Sequence, residues 1–93
     1  MNTSMISDTE KKVILDIARK YRASRVILFG SAVSHKGDYQ DIDIGVEGIA
    51  DDQFYSFYGE LILELPKPVD VVDLSKSSKF TELVRREGIA LNA

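Results

Sequence analysis

The amino-acid sequence predicts a two-layer α+β domain, in which a small, mixed, twisted sheet carries helices packed mainly against one face. Two observations lead there. Stretches of helical periodicity and short β-rich runs follow one another in the order α-β-β-α-β-α-β. At 93 residues the chain is also too short to cover both faces of a sheet well, so one face is left open to carry a site. The chain therefore reads as a single domain, residues 1–93, built around one core.

Each element has its own justification. "SDTE" at Ser7 to Glu10 is a capping box, and Val13, Ile14, Ile17, Ala18 and Tyr21 recur at helical spacing, which predicts an amphipathic helix over 8–21. "RVILF" is apolar and rich in β-branched residues, a buried strand ending at Gly30. After Gly30-Ser31 the chain is polar and punctuated by glycine, which predicts a turn, a short helical piece and a loop through Gly37. "DIDIGV" alternates strictly and is a second strand. Asp51-Asp52 are placed to cap a helix whose apolar stripe is Phe54, Phe57, Tyr58, Leu61, Ile62 and Leu65, with Pro66 and Pro68 ending it and Tyr55 off the stripe, free to meet a partner or another copy. "VDVVDL" is the third strand. "SKSSKFTELVRRE" predicts a last helix with Phe80, Leu83 and Val84 inward, and "IALN" a short edge strand.

Composition removes several classes of function. With no cysteine and one histidine, thiolate zinc sites, cysteine nucleophiles and multi-histidine metal sites are excluded, so any metal must sit on oxygen. The net charge of −3 argues against a protein that grips nucleic-acid backbones directly. No stretch approaches the roughly 18 apolar residues of a membrane span, and "MNTSMISDTEKK" lacks the apolar core of a signal peptide, so the expected location is the cytoplasm.

The chemistry centres on the second strand. Residues i and i+2 of a strand point to the same side with Cα atoms about 6.5–7 Å apart, so Asp41 and Asp43 share one face while Ile42, Ile44 and Val46 take the core face. Two carboxylates this close raise the pKa of one of them unless a cation intervenes, and Mg2+ prefers one or two carboxylates with waters and phosphate oxygens. Taken alone, a D-x-D on an exposed face is more often surface decoration. In "PVDVVDL", Asp70 and Asp73 fall on opposite faces; the mid-strand Asp70 is assigned to the D-x-D face, and Asp73 to a turn or to the cap of the next helix. Gly30 lets backbone approach a ligand closely and Ser31 adds a hydroxyl and an N–H, although a turn with a cap explains the same pair. Neither G-x-x-x-x-G-K-[ST] nor G-x-G-x-x-G is present.

Together "LFGSAVSHKGDYQDIDIGV" and "PKPVDVVDL" resemble the DNA polymerase β-like nucleotidyltransferase superfamily, and most closely the minimal nucleotidyltransferases, single-domain proteins of about this length. The resemblance spans nearly the whole chain and implies a nucleotidyltransferase fold. It also implies roles. Gly30 and Ser31 would bind the β- and γ-phosphates of a nucleoside triphosphate; Asp41 and Asp43 would hold Mg2+; and Asp70 would complete the set as metal ligand and general base for an acceptor hydroxyl. A pair of ions roughly 3.5–4 Å apart would clamp both sides of an in-line displacement at the α-phosphorus. The chain departs from the family pattern G-S-x-A-R-G, because Ser34 occupies the usual basic position; His35 or Lys36 would have to replace it.

The resemblance further implies a partner. Larger relatives bind the acceptor with a C-terminal helical domain, whereas this chain ends at Ala93, soon after Asp70. Minimal members are paired with a helical HEPN-type protein in toxin–antitoxin modules, with the nucleotidyltransferase as antitoxin. The expected activity is thus transfer of AMP from ATP to a hydroxyl, a tyrosine first, on a HEPN ribonuclease. Two other readings stand beside it: a catalytic subunit acting on a small molecule with a helical substrate-binding subunit, and a non-enzymatic acidic surface that blocks a partner. The acceptor, the base preference, activity without a partner and the oligomeric state, including a homo-oligomer, stay open at the level of sequence.

Overall fold

The computed structural model describes residues 6–34 and 40–92, with the side chains of Ser31 and Ser34 outside the description. The chain order is α1 (Asp8–Lys20), β1 (Arg25–Phe29), α2 (Ser31–Ser34), β2 (Ile42–Glu47), a 3-10 turn (Asp51–Gln53), α3 (Phe54–Glu64), β3 (Val69–Asp73), α4 (Lys79–Glu87) and β4 (Ile89–Ala90). The four strands lie in the order β3-β2-β1-β4. β1 runs antiparallel to β2 and β4, and β2 runs parallel to β3, so the sheet is mixed as the sequence predicts.

Helix α1 starts as its capping box dictates: Ser7 Oγ accepts from the Glu10 N–H at 3.0 Å, and Glu10 Oε1 accepts from the Ser7 N–H at 3.2 Å. Glu10 is buried, and its second oxygen pairs with Lys67 Nζ at 3.1 Å, so the cap also ties α1 to the segment entering β3. A buried carboxylate is tolerated only when its oxygens are engaged, and here both are. At the other end of α1, Lys20 Nζ and the Tyr21 hydroxyl both donate to Glu60 of α3.

The main core lies between the sheet and the α1–α3 pair. Val26 and Leu28 of β1, Ile42, Ile44 and Val46 of β2, and Val69 of β3 face Ile14, Ile17, Phe57, Leu61 and Leu65. Phe57 and Leu61 are fully buried, each such side chain contributing about 1.5–3 kcal/mol of transfer free energy. Helix α4 packs on the opposite face through a smaller cluster of Ile27, Leu74 and Val84, joined by Phe29 and Val72. Gly45 belongs to this packing: a Cβ there would press on the Leu74 side chain, which fills the space above the strand.

Three sequence expectations are corrected. Phe80 and Leu83 do not point inward; they are 51% and 45% exposed, and the buried residues of α4 are Thr81 and Val84. A nine-residue helix laid on so few sheet residues buries a narrow line, narrower than its apolar stripe. Ile62 is likewise 57% exposed, because α3 presents Phe57 and Leu61 to the core and Ile62 falls beyond that line. Asp51 and Asp52 do not cap α3; they form the 3-10 turn before it, and no side chain caps the Gln53 position. The loop expected through Gly37, with His35 and Lys36, lies outside the described residues.

Candidate functional site

The sheet face opposite the α1–α3 core is covered by α4 only over part of its width, and the carboxylates occupy the remainder. Strand β2 places Asp43 there because Ile42 and Ile44 are fully buried on the other side. In the parallel ladder Asp43 stands opposite Asp70, and Ile44 opposite Val71, so the two aspartates face the same way on strands about 4.8 Å apart. Asp41 precedes β2 and is exposed. Asp73 falls on the other side of β3, where its Oδ1 accepts from the Ser75 N–H at 2.9 Å and the Ser75 hydroxyl at 2.7 Å. It is a turn residue, and Ser78 is the cap of α4.

Gly30 forms the second wall. It ends β1 in the left-handed region at φ +75°, and a Cβ at this position would collide with the Asp43 carboxylate. The absent side chain is what allows the strand-to-helix turn to lie against that carboxylate. Ser31 then opens the single turn of α2, and the Gly30 carbonyl accepts from the Val33 N–H at 3.0 Å. The expected role of the Ser31 hydroxyl falls outside the described residues.

The electrostatics follow from this crowding. Burial pushes the Asp43 carboxyl above the usual aspartate range, and the neighbouring charges of Asp70 and then Asp41 push it further the same way. A site that raises a carboxyl pKa by proximity to two more carboxylates is one that a cation would relieve. Among the described residues no group of three or more His, Cys, Asp or Glu side chains is gathered closely enough to hold a metal ion. The described donors are instead a facing pair with Asp41 beside them, and one or two carboxylates completed by water and phosphate oxygens is the environment Mg2+ accepts. The residues therefore fit an oxygen-bound divalent ion.

One contact went unforeseen. Tyr58 packs its ring with the core, as its place on the α3 stripe predicts, but its hydroxyl donates to Asp70 Oδ1 at 3.2 Å. Burial raises the phenol pKa, the Val71 backbone N–H opposes that rise, and the Asp70 charge adds to it. The available signal was a tyrosine where phenylalanine would fill a core position, since a buried ring with a polar tip needs a partner for that tip.

No protein-family model matches the chain, and no curated protein matches it. Solved structures do. A chain of the toxin–antitoxin MntA-HepT crystal structure superposes with TM-score 0.69 at 22% identity, covering 91% of this chain and 71% of that one. A chain of a toxin–antitoxin crystallised with AMP-PNP superposes with TM-score 0.71 at 24% identity, over 87% and 71% of the two chains. A third match, TM-score 0.71 at 24% identity over 92% and 71%, is to the structure of a tri-AMPylated Shewanella oneidensis HEPN toxin in complex with MNT antitoxin. This chain shares the fold of a chain in each of these toxin–antitoxin structures. The mixed sheet with the helices mainly on one side, expected from the sequence, is therefore shared with these chains. Among the described residues no helix is long and apolar enough to cross a membrane.

Proposed function

We propose that the chain is a Mg2+-dependent nucleotidyltransferase that moves AMP from ATP to a hydroxyl, first a tyrosine hydroxyl, on a HEPN-type toxin, and so serves as the cytoplasmic antitoxin of a toxin–antitoxin pair. The observation that carries this reading is the register of Asp43 against Asp70 beside the left-handed Gly30 turn. Its support from likeness is a fold shared with toxin–antitoxin chains, one crystallised with AMP-PNP and another in complex with a tri-AMPylated toxin.

The chain's own residues would act as follows. The Gly30 turn, lying against the Asp43 carboxylate, and the Ser31 N–H would approach the β- and γ-phosphates. Asp41, Asp43 and Asp70 would hold Mg2+, which when bound supplies positive charge to the triphosphate. Asp70 accepts the proton of the acceptor hydroxyl as that oxygen bonds to the α-phosphorus. The bond from the α-phosphorus to the bridging oxygen breaks, and pyrophosphate leaves with that electron pair. Positioning and charge complementarity provide most of the acceleration.

The test is to incubate the purified chain with ATP, Mg2+ and a HEPN-type toxin, then weigh the toxin intact. Wild-type protein is expected to add one or more adenylyl groups, and the Asp41→Ala, Asp43→Ala double variant none, while still co-purifying with the toxin. A toxin neutralised by wild-type protein without any added adenylyl mass would overturn the reading in favour of simple blockade.

A further inference from the structure

Asp70 is exposed on β3, an edge strand of the sheet, where an aspartate side chain is ordinarily free to change rotamer. A proton acceptor has to be held within about 0.5 Å and 10–20° of its working geometry to be effective. The immediate packing of the open face does not provide that restraint. Tyr58 does.

The geometry of the strand edge explains how. Ile42 N–H donates to the Pro68 carbonyl and Leu74 N–H to the Val46 carbonyl, so the even-numbered residues of β3 bond to β2. The Val71 N–H therefore faces the open edge of the sheet, the edge past which the Tyr58 hydroxyl reaches Asp70. The ring itself is held from the core side, packed against the main cluster and in edge contact with Phe54 at 6.2 Å between centroids. The phenol thus reaches around the edge of β3 from the core face to the open face. Its hydroxyl donates to Asp70 Oδ1 across 3.2 Å.

We infer that Tyr58 is a positioning residue for Asp70: its hydroxyl, carried on a ring held by the core, holds Oδ1 and leaves Oδ2 directed at the acceptor hydroxyl. The inference rests on the proposed role of Asp70 as proton acceptor. It assigns a task to a residue whose place in the sequence marks it only as core.

The experiment compares Tyr58→Phe with Tyr55→Phe, which removes a hydroxyl from an exposed ring of the same helix. The carboxyl carbon resonance of Asp70, followed by NMR in the ligand-free protein, is expected to move in Tyr58→Phe and to stay in place in Tyr55→Phe. In AMP transfer to the HEPN partner, Tyr58→Phe is expected to lower kcat about tenfold, with KM for ATP within about twofold and the melting temperature within a few degrees of wild type. An unmoved Asp70 resonance, or a kcat equal to wild type in a protein that does transfer AMP, would overturn the inference. If wild-type protein transfers no AMP, the proposed activity alone fails, and the Asp70 resonance decides whether Tyr58 positions it.

Discussion

Asp43 and Asp70 are register partners on adjacent parallel strands. Burial and this neighbour hold the Asp43 carboxyl above its ordinary range. The folded protein consequently binds the Asp43 proton more tightly than the unfolded chain does. The Asp43 contribution to stability is greatest below the unfolded aspartate value of about 3.9 and is lost as pH rises through the higher folded value, so its full penalty stands at neutral pH. Asp43→Asn removes the charge and is expected to melt at a higher temperature than wild type at pH 7, with the gap closing below about pH 4. Melting curves across this range check it; a gap independent of pH would contradict the electrostatic origin. Added Mg2+ should raise the melting temperature of wild type and not that of the variant.

Gly30→Ala tests the turn that lies against Asp43. The substitution forces an L side chain into the left-handed region and drives its Cβ into the Asp43 carboxylate. Destabilisation of about 1–3 kcal/mol is expected from backbone conformation alone. Urea unfolding should show the midpoint shifted with an unchanged slope. Because the clash displaces Asp43, the Mg2+-dependent rise in melting temperature should shrink with it. A variant as stable as wild type would mean that the turn adopts another conformation.

Gly59→Ala tests the outer face of α3. Gly59 lies in the middle of that helix, and a Cβ there would meet nothing within 4 Å. Glycine inside a helix costs about 0.5–1 kcal/mol relative to alanine, mainly through the freedom of the unfolded backbone. The variant is expected to gain that amount, visible as a rise of a few degrees in melting temperature. No gain, or a loss, would show that the exposed face around Tyr55, Ile62 and Leu63 is not open in the protein in solution.

Much of the fold was legible from local rules. Ser7 and Glu10 announce the start of α1, and the alternation in "DIDIGV" places Ile42 and Ile44 in the core and Asp43 outside it; both hold because capping and strand periodicity act within a few residues. The separation of Asp70 from Asp73 follows the same periodicity, and the structure puts Asp73 in its own turn. Apart from Asp51 and Asp52, which form a 3-10 turn where a cap was expected, the errors concern width. Phe80, Leu83 and Ile62 are apolar at helical spacing, but whether an apolar residue is covered depends on how much of the opposing surface reaches it. Phe80 finds only partial cover, in edge contact with Phe29 at 5.9 Å.

The sequence by itself determined which side of each strand its residues take, because a period of two is a property of the backbone and needs no neighbour. That was enough to put Asp43 on the face opposite Ile42 and Ile44 and to choose Asp70 over Asp73, whereas Asp41, expected on the same strand face, lies before the first residue of β2. Tertiary structure decided what those aspartates stand beside. Pairing β2 in parallel with β3 sets Asp43 opposite Asp70, the glycine ending β1 closes on the Asp43 carboxylate, and α3 brings the Tyr58 hydroxyl to Asp70 around the sheet edge. These contacts join residues distant in the chain, and they are fixed by register and helix packing, quantities that no local pattern encodes.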